Sequence, residues 1–352
     1  MAVISKSSLR APHSGQVQFI GTSAQRVPGA MPSSGAPAAS SYTQPQIRHI
    51  QVWNGAVESL LTICFLGKVK WRVEYLNAAV VQNQPLPLIL TFGVSDPVGA
   101  LGVQADLAAF AAHGCHGLSV VAGLLVADSA KVENLHEVDS DWMADQARVL
   151  LEDMPVAAFK VGAVATVLQL AAIAEIVSDY PDAPLVLDPF LSALPDSGLA
   201  DEEMLSAIRA ILAPQTTVLM LSQSELGRMA ETWREVPDEG EESEDALLAD
   251  VAELTNAGCQ YVLVTGTRDA DGTCSNTLFD DGGVVAKVEY QHLPGPFVGA
   301  GNTYSAAFTA LMACGMEAPQ ALFAAQEYTT GALEHAQRFG MGKFIPNKFY
   351  RG

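Results

Sequence analysis

The chain has 352 residues, 49% of them hydrophobic and 16% charged, which gives it enough apolar surface to offset chain entropy and excludes disorder throughout. Its formal net charge is −20, yet residues 1–84 carry seven Lys/Arg against two Asp/Glu, which leaves twelve against thirty-seven, or −25, for residues 85–352. So acidic a body repels the phosphate backbone and excludes nucleic acid as a partner, while a nucleotide phosphate held by backbone N–H groups and a helix end stays compatible with it.

In chain order, residues 1–50 are rich in Ser, Pro, Gly, Ala and Gln, with "PGAMPSSGAPAASSYTQPQ" as the clearest low-complexity piece. Residues 51–84 add short apolar pieces without a sustained helical or alternating pattern, so residues 1–84 are expected to form a disordered extension. A start codon assigned too far upstream explains the same change in charge sign. The apolar run at residues 60–66 is far short of the roughly 20 residues of a membrane span. The opening residues also lack the cationic and apolar blocks of a secretory signal. The five cysteines, Cys64, Cys115, Cys259, Cys274 and Cys314, are odd in number and show no Cys-x-x-Cys spacing. They read as reduced thiols of a cytoplasmic protein without membrane partners.

From Leu86 the texture changes. "LPLILTFGV", "GLSVVAGLLV", "VAAFKVG", "APLVLDP", "TTVLMLS" and "QYVLVTG" are six short apolar runs separated by helical patterns, the first of which, "GVQADLAAFAAHG", closes at Gly114. Strands and helices alternating in this way predict an α/β domain over residues 85–352, with a mostly parallel sheet covered by helices on both faces. "NTLFDDGGVVAKVEY" predicts a hairpin turning at Asp281-Gly282-Gly283. The acidic segment at residues 235–246 reads as a solvated loop before the helix "LLADVAELTNAG", and two helices, near residues 302–314 and 318–337, close the chain.

The sharpest chemical feature is "GPFVGAGNTYSAAFTALMACG". Gly299, Ala300 and Gly301 are small enough for a ligand to approach the backbone, and the helix that they open directs unpaired N–H groups and its positive end toward that ligand. A plain helix-entry turn is the alternative. The loop "TFGVSDPVGALGVQADL" also lies beyond the carboxyl end of a strand, where open α/β sheets bind ligands. Asp188 and Glu225 follow two further strands, so they read either as carboxylates for a hydrated Mg²⁺ bridging ATP phosphates or as helix-capping and surface acids.

Taken in order, "SDPVGALGVQADL", "FKVG", "LDP", the Glu after the fifth strand, "VLVTG" and "GAGNT" resemble the hydroxymethylpyrimidine and phosphomethylpyrimidine kinases of thiamine biosynthesis, over about residues 86–340. The resemblance implies a ribokinase-like three-layer sandwich, with ATP and Mg²⁺ as cofactors and a small molecule as substrate; homo-oligomerisation stays open. It makes Asp106 a substrate-pocket acid, Lys160 a lysine near the active face, Asp188 and Glu225 the Mg²⁺-side carboxylates, and Thr265 and Gly266 nucleotide contacts. Gly299, Ala300 and Gly301 become the anion hole.

The departures are as specific. Asn302 stands where the pyrimidine kinases have Cys and most ribokinase relatives an Asp that serves as base, and an amide accepts no proton, though it orients a hydroxyl. In the substrate pocket Ala127 replaces a glutamine, Ala163 a methionine, Val94 a glycine and Leu101 an alanine, while Ser222 replaces the Asn of an N-x-x-E motif. Three readings follow. One is a hydroxymethylpyrimidine kinase with a degenerate base position, another a kinase of pyridoxal or a different vitamin alcohol, and the third a weakly catalytic or inactive protein that keeps the pocket as a sensor.

Overall fold

The computed structural model describes residues 86–189, 202–234, 244–268 and 272–351, together with the backbone of three earlier strands, Arg48–Asn54 (β1), Val57–Ile63 (β2) and Glu74–Leu76 (β3). The low-complexity piece and the acidic loop up to residue 243 lie outside these residues. The chain divides into two units, Met1–Gln84 and Pro85–Gly352. In the first, β1 pairs antiparallel with β2, Asn54 opposite Val57, and β2 pairs antiparallel with β3. These strands lie in the stretch for which no regular pattern is expected from sequence. Asn54-Gly55 between two apolar runs is a short-range hairpin signal that a search for longer alternation passes over.

The second unit holds β4 (Leu88–Ser95), α1 (Gly102–Ala112), β5 (His116–Ala127), β6 (Val132–Glu137), α2 (Ser140–Asp153), β7 (Ala158–Val161), α3 (Val167–Ser178) and β8 (Leu185–Leu187). These are followed by α4 (Glu202–Ala207), β9 (Val218–Ser222), α5 (Gln223–Ala230), α6 (Glu244–Asn256), β10 (Tyr261–Arg268), β11 (Cys274–Asp280), β12 (Gly283–Tyr290), α7 (Ala300–Ala313) and α8 (Ala318–Glu334). The nine strands form one sheet in the order β12-β11-β10-β9-β8-β7-β4-β5-β6. The six apolar runs are its parallel centre, and the three antiparallel pairings are β5 with β6, β10 with β11 and β11 with β12.

Alternation along each strand decides which helices it meets. Leu90, Phe92, Phe159, Val161, Leu219 and Leu221 point to one face, where α2 through α6 cover them. Ile89, Ala158, Val186, Val218, Met220 and Leu263 point to the other, against α1, α7 and α8. Gly114, at φ 74°, ends α1 in the left-handed conformation that only glycine adopts without strain. The chain runs from β4 to β5 on one side, then returns to place β7 on the other side of β4. That reversal opens a crevice beyond the carboxyl ends of β4 and β7, facing α1 and α7, the position where doubly wound sheets bind ligands.

Candidate active site

A cleft of about 760 Å³ lies at the carboxyl end of the sheet and is lined by Asp188, Ser222, Glu225, Thr265, Gly266, Ala300 and Gly301 among others. Asp188, Glu225, Thr265, Gly266, Ala300 and Gly301 therefore face one space, together with Asn276 and Tyr290 from the β11–β12 hairpin, whereas Gly299 does not line it. Gly266 is at φ 73° and its N–H is held by Asn276 Oδ1 at 2.9 Å, which shapes the wall opposite α7.

The three residues of the turn at 299–301 serve different ends. Gly299 is the N-cap of α7 at φ 85°, and a Cβ there meets Ala100 O at 2.0 Å. Its smallness thus answers the approach of the β4–α1 loop rather than that of a ligand. Gly301 has nothing within 4 Å of a Cβ and lines the cleft, so at this position the smallness leaves room for a ligand. The opposing loop organises itself around Asp96, whose carboxylate accepts from the N–H groups of Val98, Ala100 and Leu101, each at 2.9 Å.

Beneath the turn is a buried polar network. Asp106 on α1, 1% exposed, pairs through Oδ1 with Lys160 Nζ of β7 at 3.0 Å. It also accepts from Thr91 Oγ1 at 2.7 Å and from Asn302 Nδ2 at 2.6 Å. Asn302 Oδ1 in turn accepts from Gly102 N–H at 2.8 Å. The structure thus brings Asp106, Lys160 and Asn302 together, as strut and counter-ion below the turn at 299–301. Asn302 braces α7 to α1 with one amide hydrogen and its carbonyl, which leaves its second amide hydrogen uncommitted among the described residues.

Asp188, just beyond β8, accepts from Ser305 Oγ on α7 at 2.5 Å. Part of its surface opens on the cleft, yet desolvation is the main influence on its carboxyl and raises its pKa above the usual range; Lys160 and the Ser305 hydroxyl oppose this, while Glu225 and Asp106 add to it. Glu225 completes a capping box with Ser222, its Oε2 taking the Ser222 N–H at 2.8 Å and the Ser222 hydroxyl at 2.7 Å. The helix-capping reading of Glu225 therefore holds, and the same carboxylate still lines the cleft. No cluster of three or more metal-ligating side chains occurs among the described residues. Mg²⁺ keeps most of its waters and takes one or two carboxylates with substrate phosphates. Two acids lining one cleft, with Glu225 adding to the charge cost of Asp188, fit such an ion.

Three of the four positions expected on the substrate side also meet. Val94 and Ala163 pack with Leu125 in a small buried cluster that Ala127 and Leu135 join, and Leu101 is buried nearby in the chain at the N-cap of α1. Ser305 and Thr91 were not singled out from sequence. Ser305 lies three residues after Asn302 and so on the same helix face, while Thr91 is the lone polar side chain inside the β4 run "LILTFGV".

The sequence profile of the phosphomethylpyrimidine kinase family matches residues 96–347. The chain is 31% identical over 274 residues to a hydroxymethylpyrimidine/phosphomethylpyrimidine kinase of Mycobacterium bovis, covering 77% of this chain and 96% of the relative. It is 27% identical over 262 residues to a pyridoxine kinase of Bacillus subtilis, covering 73% and 93%. An ADP complex of Bacillus subtilis pyridoxal kinase superposes with a TM-score of 0.67 at 24% identity, over 75% of this chain and 98% of that one, and shares the fold. No described helix is long and apolar enough to cross a membrane.

Proposed function

The chain belongs to the phosphomethylpyrimidine kinase family, and on that premise we propose that it moves the γ-phosphate of ATP onto hydroxymethylpyrimidine or its monophosphate, in thiamine biosynthesis. The observation that carries this reading is the open backbone at Gly301, which directs the start of α7 into the same cleft as Asp188, Glu225, Thr265 and Gly266. The first-turn N–H groups of α7 hold phosphate oxygens, and Thr265 and Gly266 flank the rest of the nucleotide. Asp188 and Glu225 would hold a hydrated Mg²⁺, which supplies charge neutralisation between phosphates. Lys160 holds Asp106 in place, and Asp106 fixes the amide of Asn302, whose second amide hydrogen orients the acceptor oxygen. Phosphoryl transfer asks mainly for position and charge, so this machinery supports turnover without a carboxylate at 302. The four described cysteines are free thiols, in keeping with work in the cytoplasm.

The test is ATP consumption, coupled to ADP detection, with hydroxymethylpyrimidine, its phosphate and pyridoxal offered in turn. Turnover of the pyrimidines is expected. Turnover of pyridoxal alone points to the second vitamin, a reading that the small apolar side chain at Ala127 favours. Binding of ATP and pyrimidine without turnover leaves the sensor reading.

A further inference from the structure

Thr329 on α8 is 5% exposed, and its Oγ1 is a buried oxygen without a hydrogen-bond partner among the described residues. The buried threonines of α7 behave differently. Thr303 and Thr309 return their hydroxyls to the carbonyls of Gly299 and Ser305, one turn back, at 2.7 and 2.8 Å, whereas Thr329 makes no such bond to Ala325. A buried hydroxyl left unpaired is costly where an apolar group of the same shape is not. Thr329 also lines the cleft, as do Gln326 and Leu333 on the same face of α8. Its polar neighbours are already engaged: Gln326 Oε1 accepts from Asn276 Nδ2 at 2.8 Å, Gln326 Nε2 donates to Thr330 Oγ1 at 3.2 Å, and Asn276 Oδ1 takes the Gly266 N–H. Through Gln326 this wall of α8 is tied to β11. The cleft crosses adjacent strands, from Asp188 beyond β8 to Asn276 on β11 and Tyr290 on β12. Phosphates held by Asp188, Glu225 and the entry of α7 leave the side toward β11, under α8, to the nucleoside.

We propose that the Thr329 hydroxyl hydrogen-bonds the nucleoside of ATP, at a ribose hydroxyl or at the amino edge of the base, and so helps to select the phosphoryl donor; this rests on the kinase reading above. Oγ1 is covered by protein atoms while the residue borders the cleft. A turn about Cα–Cβ, between the two rotamers that threonine populates in helices, brings the hydroxyl to the cleft surface. A hydroxyl both donates and accepts, so it suits either partner, and pairing with the nucleotide removes the cost of leaving it unpaired.

The experiment is calorimetric titration with ATP of the parent, Thr329→Val and Thr329→Ser, with melting curves of each in the absence of nucleotide and KM for hydroxymethylpyrimidine alongside. Valine keeps the shape and removes the hydroxyl. Thr329→Val should therefore melt at or above the parent temperature without nucleotide, yet bind ATP about two- to tenfold more weakly, the net worth of one neutral hydrogen bond. KM for the pyrimidine should not move, and Thr329→Ser should keep most of the parental ATP affinity. Titrations with 2′-deoxy-ATP, 3′-deoxy-ATP and inosine triphosphate identify the partner, because the analogue that lacks the bonded group binds the parent and Thr329→Val alike. Equal ATP affinity in the parent and Thr329→Val would overturn the proposal. So would a loss that all the analogues show as fully as ATP, since the partner is then neither the ribose nor the amino edge. A Thr329→Val protein that melts lower than the parent without nucleotide, or does not fold, also overturns it, because the hydroxyl then serves the fold. A parent that binds no ATP at all sinks the kinase reading and this proposal with it.

Discussion

Replacing Asn302 with aspartate puts a second carboxylate where the amide now donates to Asp106 at 2.6 Å. The carboxylate of most ribokinase relatives at this place argues for a gain in turnover of up to roughly 10²-fold, but the surroundings argue for a loss. At an effective dielectric near 20, two unit charges 2.6 Å apart repel by about 6 kcal/mol, of which Lys160 at 3.0 Å offsets a part. The pair escapes by keeping one proton, and holding a carboxyl protonated at pH 7 against an ordinary pKa near 3.9 costs about 4 kcal/mol. The smaller figure sets the ceiling. The folded-state pKa is then raised above the unfolded one, so the unfolded chain binds fewer protons. The variant is near parental stability at about pH 4 and loses about 1.4 kcal/mol per pH unit until the raised pKa is passed. Urea unfolding of parent and variant at pH 5, 6 and 7 reads this difference directly, and kcat at pH 7 should not rise, because the added carboxyl stays protonated. A stability difference that is constant with pH, or a gain in turnover, would refute the contact with Asp106 as the controlling feature.

Gly299→Ala should cost about 2–3 kcal/mol or more, since a Cβ there meets Ala100 O at 2.0 Å in a left-handed backbone. Gly301→Val meets nothing within 4 Å and should weaken ATP at least roughly tenfold with only a small change in melting temperature; calorimetry and thermal melting separate the two. Ser305→Ala removes the hydroxyl that opposes the burial-driven rise at Asp188, so the acidic limb of the kcat/KM profile should move to higher pH. A chain starting at Pro85 retains the nine-stranded sheet and all its core clusters, and should melt cooperatively; its aggregation would show that residues 1–84 belong to the fold.

The parallel centre of the sheet was legible because strands covered on both faces have to be continuous apolar runs, as "LILTFGV" and "VLML" are. Edge strand β6, "VENLHE", is half exposed and charged, and gives no such signal. The cleft was legible through residues adjacent to strand ends or a helix entry, all of them local features. What Asn302 does was not, because its partner Asp106 is 196 residues away in the chain. The composition around 299–301 likewise shows that something must come close, but not that at Gly299 it is the carbonyl of Ala100 rather than a phosphate.

That contact has a mechanical side. With Ala100 O against Gly299, and Asn302 tied to both Gly102 and Asp106, the entry of α7 and the loop after β4 have no play between them. The opposite wall of the cleft, the ends of β9 and β10 with the left-handed Gly266, has no such tie to α7 among the contacts described above. The site is thus built like a vice with one braced jaw, the entry of α7 locked against the loop after β4.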